Sequence, residues 1–306
     1  MSNSRMKLVP VFILALLLNA CASAPKAAPE VKQLADQNVL AETDDLAMVT
    51  NAALQLAGLF GPRQVLVVYD IDNTLLAMEQ GLGSDQWYYW QKALAAEQPC
   101  SPLLVGDRLK AQGALYFASA MRPTQADAAV QVKRLQDAGL TVVAVTSRGP
   151  EFSLQTFREL RRNGISFWPS ALPPARGFPE PFIPAGGTLP AIYQDGVFLT
   201  AGQDKGVMLT ALLDKSGIAP PKVIIVADDK AENLQAIMET FAGSATSVHA
   251  WRYSREDAHA GALNTQEAAA QWDAVRPALM TIEEVFGPDN FELPAAPDCR
   301  SDFNRE

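Results

Sequence analysis

VLVVYDIDNTLL, Val65 to Leu76, is the stretch on which the fold turns. Its first five residues are apolar or aromatic without a polar break, which suits a strand buried on both faces of a parallel sheet. The run stops at Asp70, and Asp72 follows two residues later. In an open α/β sheet the carboxyl ends of the strands face the ligand crevice, so both acids belong on its floor. Two carboxylates so close repel each other unless a cation holds both ionised. Magnesium suits them, being a hard ion bound through one or two carboxylates plus phosphate oxygens. Asp70, first off the strand, is placed to attack phosphorus as a carboxylate nucleophile. Asp72 is placed to protonate a leaving oxygen and later deprotonate water, a role worth about 10²–10⁴-fold. Thr74 is the candidate that hydrogen-bonds the turn and fixes it. A calcium loop and a plain polar turn share the DxDN pattern, but Leu75 stands where a calcium loop needs Gly, and no glutamate occupies its last position.

Three further segments repeat the theme of an apolar run or a helix start meeting a polar or charged group. Thr141–Val145 reads as a second buried strand ending in Thr146-Ser147-Arg148-Gly149. Hydroxyls and backbone amides there can receive phosphate oxygens, with Arg148 either adding charge-assisted bonds or standing in solvent. Lys205 precedes the helically spaced Val207–Leu213, a poor place for a cation in the helix dipole unless an anion faces it; the alternative is a surface lysine. Lys222–Ala227 is another buried strand, ending in Asp228-Asp229 with Glu232 and Asn233 beyond. Asp228 can complete a magnesium shell begun by Asp70, while Asp229 or Glu232 can orient waters or Lys205.

The segments between set the domain plan. A capped amphipathic helix is predicted from Thr43 to Gly61-Pro62, burying Leu46, Val49, Ala53, Leu56 and Phe60. A crossover from the first strand to the second needs only a dozen or so residues, so residues 76–125 are predicted to form a helical cap over the crevice, inserted between core segments 41–75 and 126–290. Trp87-Tyr88-Tyr89-Trp90 within it is either an aromatic platform for a substrate or the packing of the cap. Residues 168–190 read as a long Pro- and Gly-rich loop, Asp195-Gly196 as a hairpin turn, and residues 291–306 as an irregular tail.

Composition, with 306 residues, 48% hydrophobic and 19% charged, indicates a soluble globular core. The amino end differs. Arg5 and Lys7 precede the apolar Leu8–Leu18, and Leu18-Asn19-Ala20-Cys21 follows, too short for a permanent membrane span. This resembles a bacterial lipoprotein signal over residues 1–20, with lipid on the Cys21 thiol. Ala22 after the cysteine then implies the outer membrane facing the periplasm, and residues 21–40 form the tether. Without residues 1–20 the chain carries 23 basic against 34 acidic side chains, a net of −11, which argues against a nucleic-acid partner. Cys100 and Cys299 then remain, as a disulfide or as two thiols. His249 and His259, the only histidines, are expected to be structural or exposed, which disfavours a histidine nucleophile.

Taken together, DIDNT at 70–74, the strand-terminal Thr146, Lys205 and Asp228-Asp229, in this order over roughly 60–250, resemble the haloacid dehalogenase superfamily of aspartate-nucleophile phosphohydrolases. The resemblance implies a Rossmann-like three-layer α/β fold with a parallel sheet and an inserted cap. It makes Asp70 the nucleophile, Asp72 the acid/base, and Thr146 and Lys205 the phosphoryl-binding groups; Ser147, beside Thr146, is a further phosphate-binding candidate. Magnesium would be held by the Asp70 carboxylate, the Asp72 carbonyl and the Asp228 carboxylate. Asp72 argues against the dehalogenase branch, and Thr74-Leu75 against the transport-ATPase branch. Lipid anchoring and the insertion are similar to class C acid phosphatases, though Asn73 stands where these have Glu and ADDKAEN where they have Gly-Asp-Asn. The SDQWYYW and TSRG segments look like an uncharacterised domain-of-unknown-function branch. The expected activity is magnesium-dependent hydrolysis of a small phosphorylated substrate through an aspartyl-phosphate. The alternatives are a catalytically silent binding or envelope-structural lipoprotein and a phosphotransferase that hands the phosphoryl group to a sugar.

Overall fold

The computed structural model describes residues 37–260, 262–287 and 292. The expected signal segment, Cys21, the expected tether to residue 36, Cys299 and most of the tail lie outside the described residues. Cys100 is disulfide-bonded.

The chain runs β1 (Val39–Thr43), α1 (Leu46–Phe60), β2 (Val65–Tyr69), β3 (Leu76–Met78), α2 (Asp85–Glu97), α3 (Arg108–Ala118), β4 (Met121–Pro123), α4 (Ala128–Asp137), β5 (Thr141–Thr146) and α5 (Ser153–Arg162). It continues through β6 (Ile192–Gln194), β7 (Val197–Leu199), α6 (Lys205–Ser216), β8 (Val223–Asp228), α7 (Ala231–Thr240), β9 (Ser247–Tyr253), α8 (Asp257–Ala260) and α9 (Thr265–Phe286). Seven strands form one sheet in the order β1-β9-β8-β2-β5-β7-β6, parallel throughout except for β6. The antiparallel pair β6 and β7 is the predicted hairpin, with Asp195 (φ 46°) and Gly196 (φ 82°) taking the left-handed turn positions.

Alternation along the buried strands builds the layers. Val65, Val67 and Tyr69 pack with Leu46, Val49, Val132 and Leu135 of α1 and α4 on one face. Leu66 and Val68 pack with Leu209, Leu212, Leu234 and Ile237 of α6 and α7 on the other. The result is the three-layer Rossmann-like α/β arrangement that the apolar runs predict. From β2 the chain moves to β5 on one side and later returns to β8 on the other, so the topological switch, where such sheets bind ligands, lies at the tip of β2.

Three boundaries differ from expectation. Thr43 does not begin the first helix but ends β1, an edge strand paired with β9, and Asp45 is the cap, its carboxylate accepting the Ala47 N–H at 2.9 Å. Val39 and Leu40, assigned to the tether, therefore belong to the sheet. The alternating VLAET pattern of an edge strand, half in solvent, is hard to tell from a polar linker. The inserted region holds α2 and α3 as expected, and is joined to the core by the two-stranded ribbon of β3 and β4. The third difference is α9, which lies within the core segment 126–290 of the predicted plan. Its Ala268, Trp272 and Val275 pack with Leu82, Trp87, Val105 and Leu115 of the insertion, so the cap is completed from the far end of the chain.

Gly206 marks where α6 meets α7: a Cβ there would lie 2.5 Å from the Ala236 carbonyl and 2.9 Å from the Thr240 Cβ. Gly to Ala inside a helix normally gains about 0.5–1 kcal/mol. Gly206→Ala is expected to reverse that sign and lower the urea midpoint, because backbone must move; an unchanged or raised midpoint would show that the helices separate freely.

Candidate active site

The acids converge because three adjacent elements end in one place. The Asp70 N–H still donates to the Ala227 carbonyl of β8 at 2.9 Å, so Asp70 leaves the sheet beside the last residues of β8. Lys205, first residue of α6, is buried with its Nζ 2.6 Å from Asp70 Oδ1 and 2.6 Å from Asp228 Oδ2. These carboxylates are the anionic partner that a lysine at a helix start calls for. Asp204 caps the same helix by accepting the Val207 N–H. Asn233 orients Asp228, donating to its two oxygens at 2.9 and 3.1 Å, and the Lys230 N–H adds a bond at 2.9 Å. Lys205 is bonded to Asp70 and Asp228 rather than to Asp229 or Glu232, whose side chain is exposed.

Thr74 ties the two acidic loops together, accepting the Asp229 N–H at 3.0 Å. Asn73, in the left-handed region at φ 59°, donates to Asp229 at 3.4 Å and accepts from Gln86 of the cap at 3.2 Å. The carboxylates of Asp70, Asp228 and Asp229 place ligand atoms within 4.8 Å of one another and can hold a metal ion. Burial, opposed by Lys205 and reinforced by Asp228 and Asp72, pushes Asp70 up to about 7. Burial with repulsion from Asp70 and Asp228 pushes Asp229 up to about 8. An all-oxygen donor set whose charges strain against one another is what a hard divalent cation relieves, so these residues fit such an ion. Asp229, expected only in support, thus joins the candidate ligands.

Arg148 is neither a free phosphate binder nor a solvated loop residue. It is buried, with Nε 2.8 Å from Asp72 Oδ2 and an Nη 2.6 Å from Asp72 Oδ1. Its other Nη donates to Thr156 at 2.8 Å, and the guanidinium lies 4.5 Å from the Tyr116 ring centroid. Burial alone would raise Asp72, but attraction and hydrogen bonds from Arg148 outweigh it and hold the carboxyl below its usual range. The Asp72 carboxylate is therefore committed to Arg148 and stands outside the acidic cluster.

Thr146 ends β5 as expected, but its side chain is fully buried and its hydroxyl accepts the Arg148 N–H at 3.3 Å. Ser147, Arg148 and Gly149 line the cavity instead. That cavity, about 480 Å³, has Asp70, Asp72, Asp229 and Asn233 at its floor and Asp85, Tyr88, Tyr89, Leu109 and Tyr116 of the cap in its walls. The aromatic cluster thus splits. Trp87 is the buried centre of the cap, while Tyr88 and Tyr89 face the cavity. Lys230 joins cap to core through a 2.9 Å bond to Asp85.

A family model described as a protein of unknown function (DUF2608) matches residues 42–284. The chain belongs to DUF2608. No curated protein matches it. The match takes in the cap, all the acidic strand ends and most of α9, so sheet and cap together make the DUF2608 unit. Among the described residues no helix is long and apolar enough to cross a membrane.

Sequence reasoning missed Arg148 as the partner of Asp72, Asn233 as the support of Asp228, and the Asp85 to Lys230 bond. Each joins residues far apart in the chain or resolves between two equal readings, and only Asn233 left a signal, five residues after Asp228 on the first turn of α7.

Replacing Lys205 by Met in this DUF2608 chain leaves Asp70 and Asp228 buried without their shared cation. Loss of one partner from a buried pair costs about 3–5 kcal/mol. Urea unfolding of Lys205→Met should show a loss of that order, with part regained when a divalent cation is added; stability equal to the parent would mean the ammonium is not holding the two acids.

Proposed function

We propose that this DUF2608 protein is a magnesium-dependent phosphomonoesterase of the haloacid dehalogenase type, acting through an aspartyl-phosphate and held at the bacterial outer membrane by lipid on Cys21. The observation that carries the reading is the Lys205 ammonium shared by Asp70 and Asp228 at the tips of neighbouring parallel strands, with Asp72 on the same cavity.

Lys205 engages Asp70 through Oδ1, which leaves Oδ2 to attack phosphorus. The bond from phosphorus to the substrate oxygen breaks, and that oxygen takes a proton from Asp72. A water then attacks the phosphorus, gives its proton to Asp72, and the bond to Asp70 breaks to release inorganic phosphate. The Arg148 fork favours ionised Asp72, the state that accepts a proton from water, and opposes the protonated state on which the leaving oxygen draws. Ser147, which lines the cavity, offers a hydroxyl to the phosphoryl oxygens, and the Lys205 ammonium, bonded to Asp70 and Asp228, adds positive charge nearby, while Thr146 shapes the turn that presents Ser147. Asp70, Asp228 and Asp229, with the Asp72 carbonyl, would hold magnesium, which supplies charge neutralisation as negative charge moves on to the phosphoryl oxygens.

Incubation with p-nitrophenyl phosphate tests the reading. Release should require magnesium, vanish on chelation and be abolished in Asp70→Asn, while Asp72→Asn should lose about 10²–10⁴-fold in kcat. Release that persists undiminished in Asp70→Asn would refute the covalent route. Transfer to an added sugar in place of water would identify a phosphotransferase.

A further inference from the structure

The upper cavity differs in character from its floor. Three large apolar side chains ring the mouth and are half exposed: Tyr89 at 45%, Leu109 at 46% and Leu189 at 49%. They come from α2, α3 and the loop before β6, so no single amphipathic face accounts for their meeting. Each is held in place. Tyr89 packs edge to face on Tyr88 with ring centroids 5.5 Å apart. The Leu109 N–H is fixed by the Asp107 carboxylate at 3.1 Å. Leu189 is clamped on both sides by Gln203, which accepts its N–H and donates to its carbonyl, each at 3.0 Å. Below them Met78, Tyr116 and Phe152 continue the apolar wall.

Three polar side chains of that wall are already engaged with the protein. Asp85 and Lys230 bond each other at 2.9 Å, and Gln112 donates to the Gly83 carbonyl at 3.1 Å. A sugar or other polyhydroxyl body entering there would give up water without gaining these partners, a cost that an apolar body does not meet. Glu151 adds a carboxylate to the lining and disfavours a second anionic group on the substrate. Floor and rim therefore suit the two halves of an amphiphile.

We propose that the rim formed by Tyr89, Leu109 and Leu189 selects phosphomonoesters of apolar alcohols, with a single phosphate on an aliphatic or aromatic body. This rests on the phosphatase reading above and goes beyond it by naming the substrate class.

The test is kcat/KM with magnesium for ethyl, butyl and hexyl phosphate, whose leaving alcohols are chemically alike. Glycerol 3-phosphate serves as the polar arm and 3-phenylpropyl phosphate as the aromatic one. Burial of each added methylene is expected to raise kcat/KM by up to about fourfold. Glycerol 3-phosphate should fall below butyl phosphate, and the aromatic arm shows which apolar body fits better. Leu109→Asn and Leu189→Asn should each flatten the rise from ethyl to hexyl. Equal kcat/KM across the series, or a preference for glycerol 3-phosphate, overturns the inference while leaving the phosphatase reading intact. Hydrolysis of no member overturns both.

Discussion

A lysine ammonium with almost no contact with water is costly unless anions surround it, and Lys205 meets that condition only if Asp70 and Asp228 arrive together. This single requirement constrains much of the molecule. β2 and β8 must be neighbours in register, so that their terminal acids reach the same point. α6 must start at the crevice, and α6 and α7 must approach closely, which Gly206 permits. The same arrangement concentrates negative charge: Asp229 stands beside the pair, and one ammonium cannot neutralise three carboxylates. These three acids can hold a metal ion besides the ammonium that the fold supplies.

Around this centre a second ring of interactions connects the cap to the core. Arg148 grips Asp72 while lying over Tyr116 of α3, so the acid two residues beyond Asp70 is positioned partly by the insertion. Lys230 reaches Asp85 at the start of α2, and Asn73 reaches Gln86 in the next position. The cap is consequently fastened to the acidic loops themselves, with Arg158 of α5 donating to the Tyr116, Phe117 and Ser119 carbonyls at the end of α3, and α9 braces it through Trp272 and Val275. Any movement of the cap would be felt at Asp72 and Asp229. The cavity mouth owes its apolar rim to the same arrangement, since Tyr89 and Leu109 belong to the two cap helices.

The reading of the sequence was strongest where a local pattern has one physical solution. Apolar runs at 65–69, 142–145 and 223–227 can only be central parallel strands or buried helix segments, and their length and β-branching select strands. The hairpin at Asp195-Gly196 and the helix opened by Lys205 were legible for similar reasons. It was weakest where solvent dilutes the pattern, as in β1, whose half-exposed residues resembled a tether. It was also weak where a residue has two credible roles. Nothing near Arg148 in the chain tells that its partner is Asp72, seventy-six positions earlier. The aromatic cluster at 87–90 divides, Trp87 into the cap's interior and Tyr88 and Tyr89 onto the cavity, because successive residues on a helix face in different directions.

The amino-acid sequence by itself determined the class of fold and the points at which acids leave the sheet, because strand periodicity and the polarity change at a strand end are properties of neighbouring residues. The tertiary structure decided what those acids do to one another: which of them Lys205 neutralises, which is tied up by Arg148, and that Asp229 joins the cluster. It also decided that α9 belongs with the cap and that Tyr89, Leu109 and Leu189 share a rim. Those outcomes depend on distances between segments remote in the chain, and electrostatic and packing energies follow distance in space, on which local sequence carries no information.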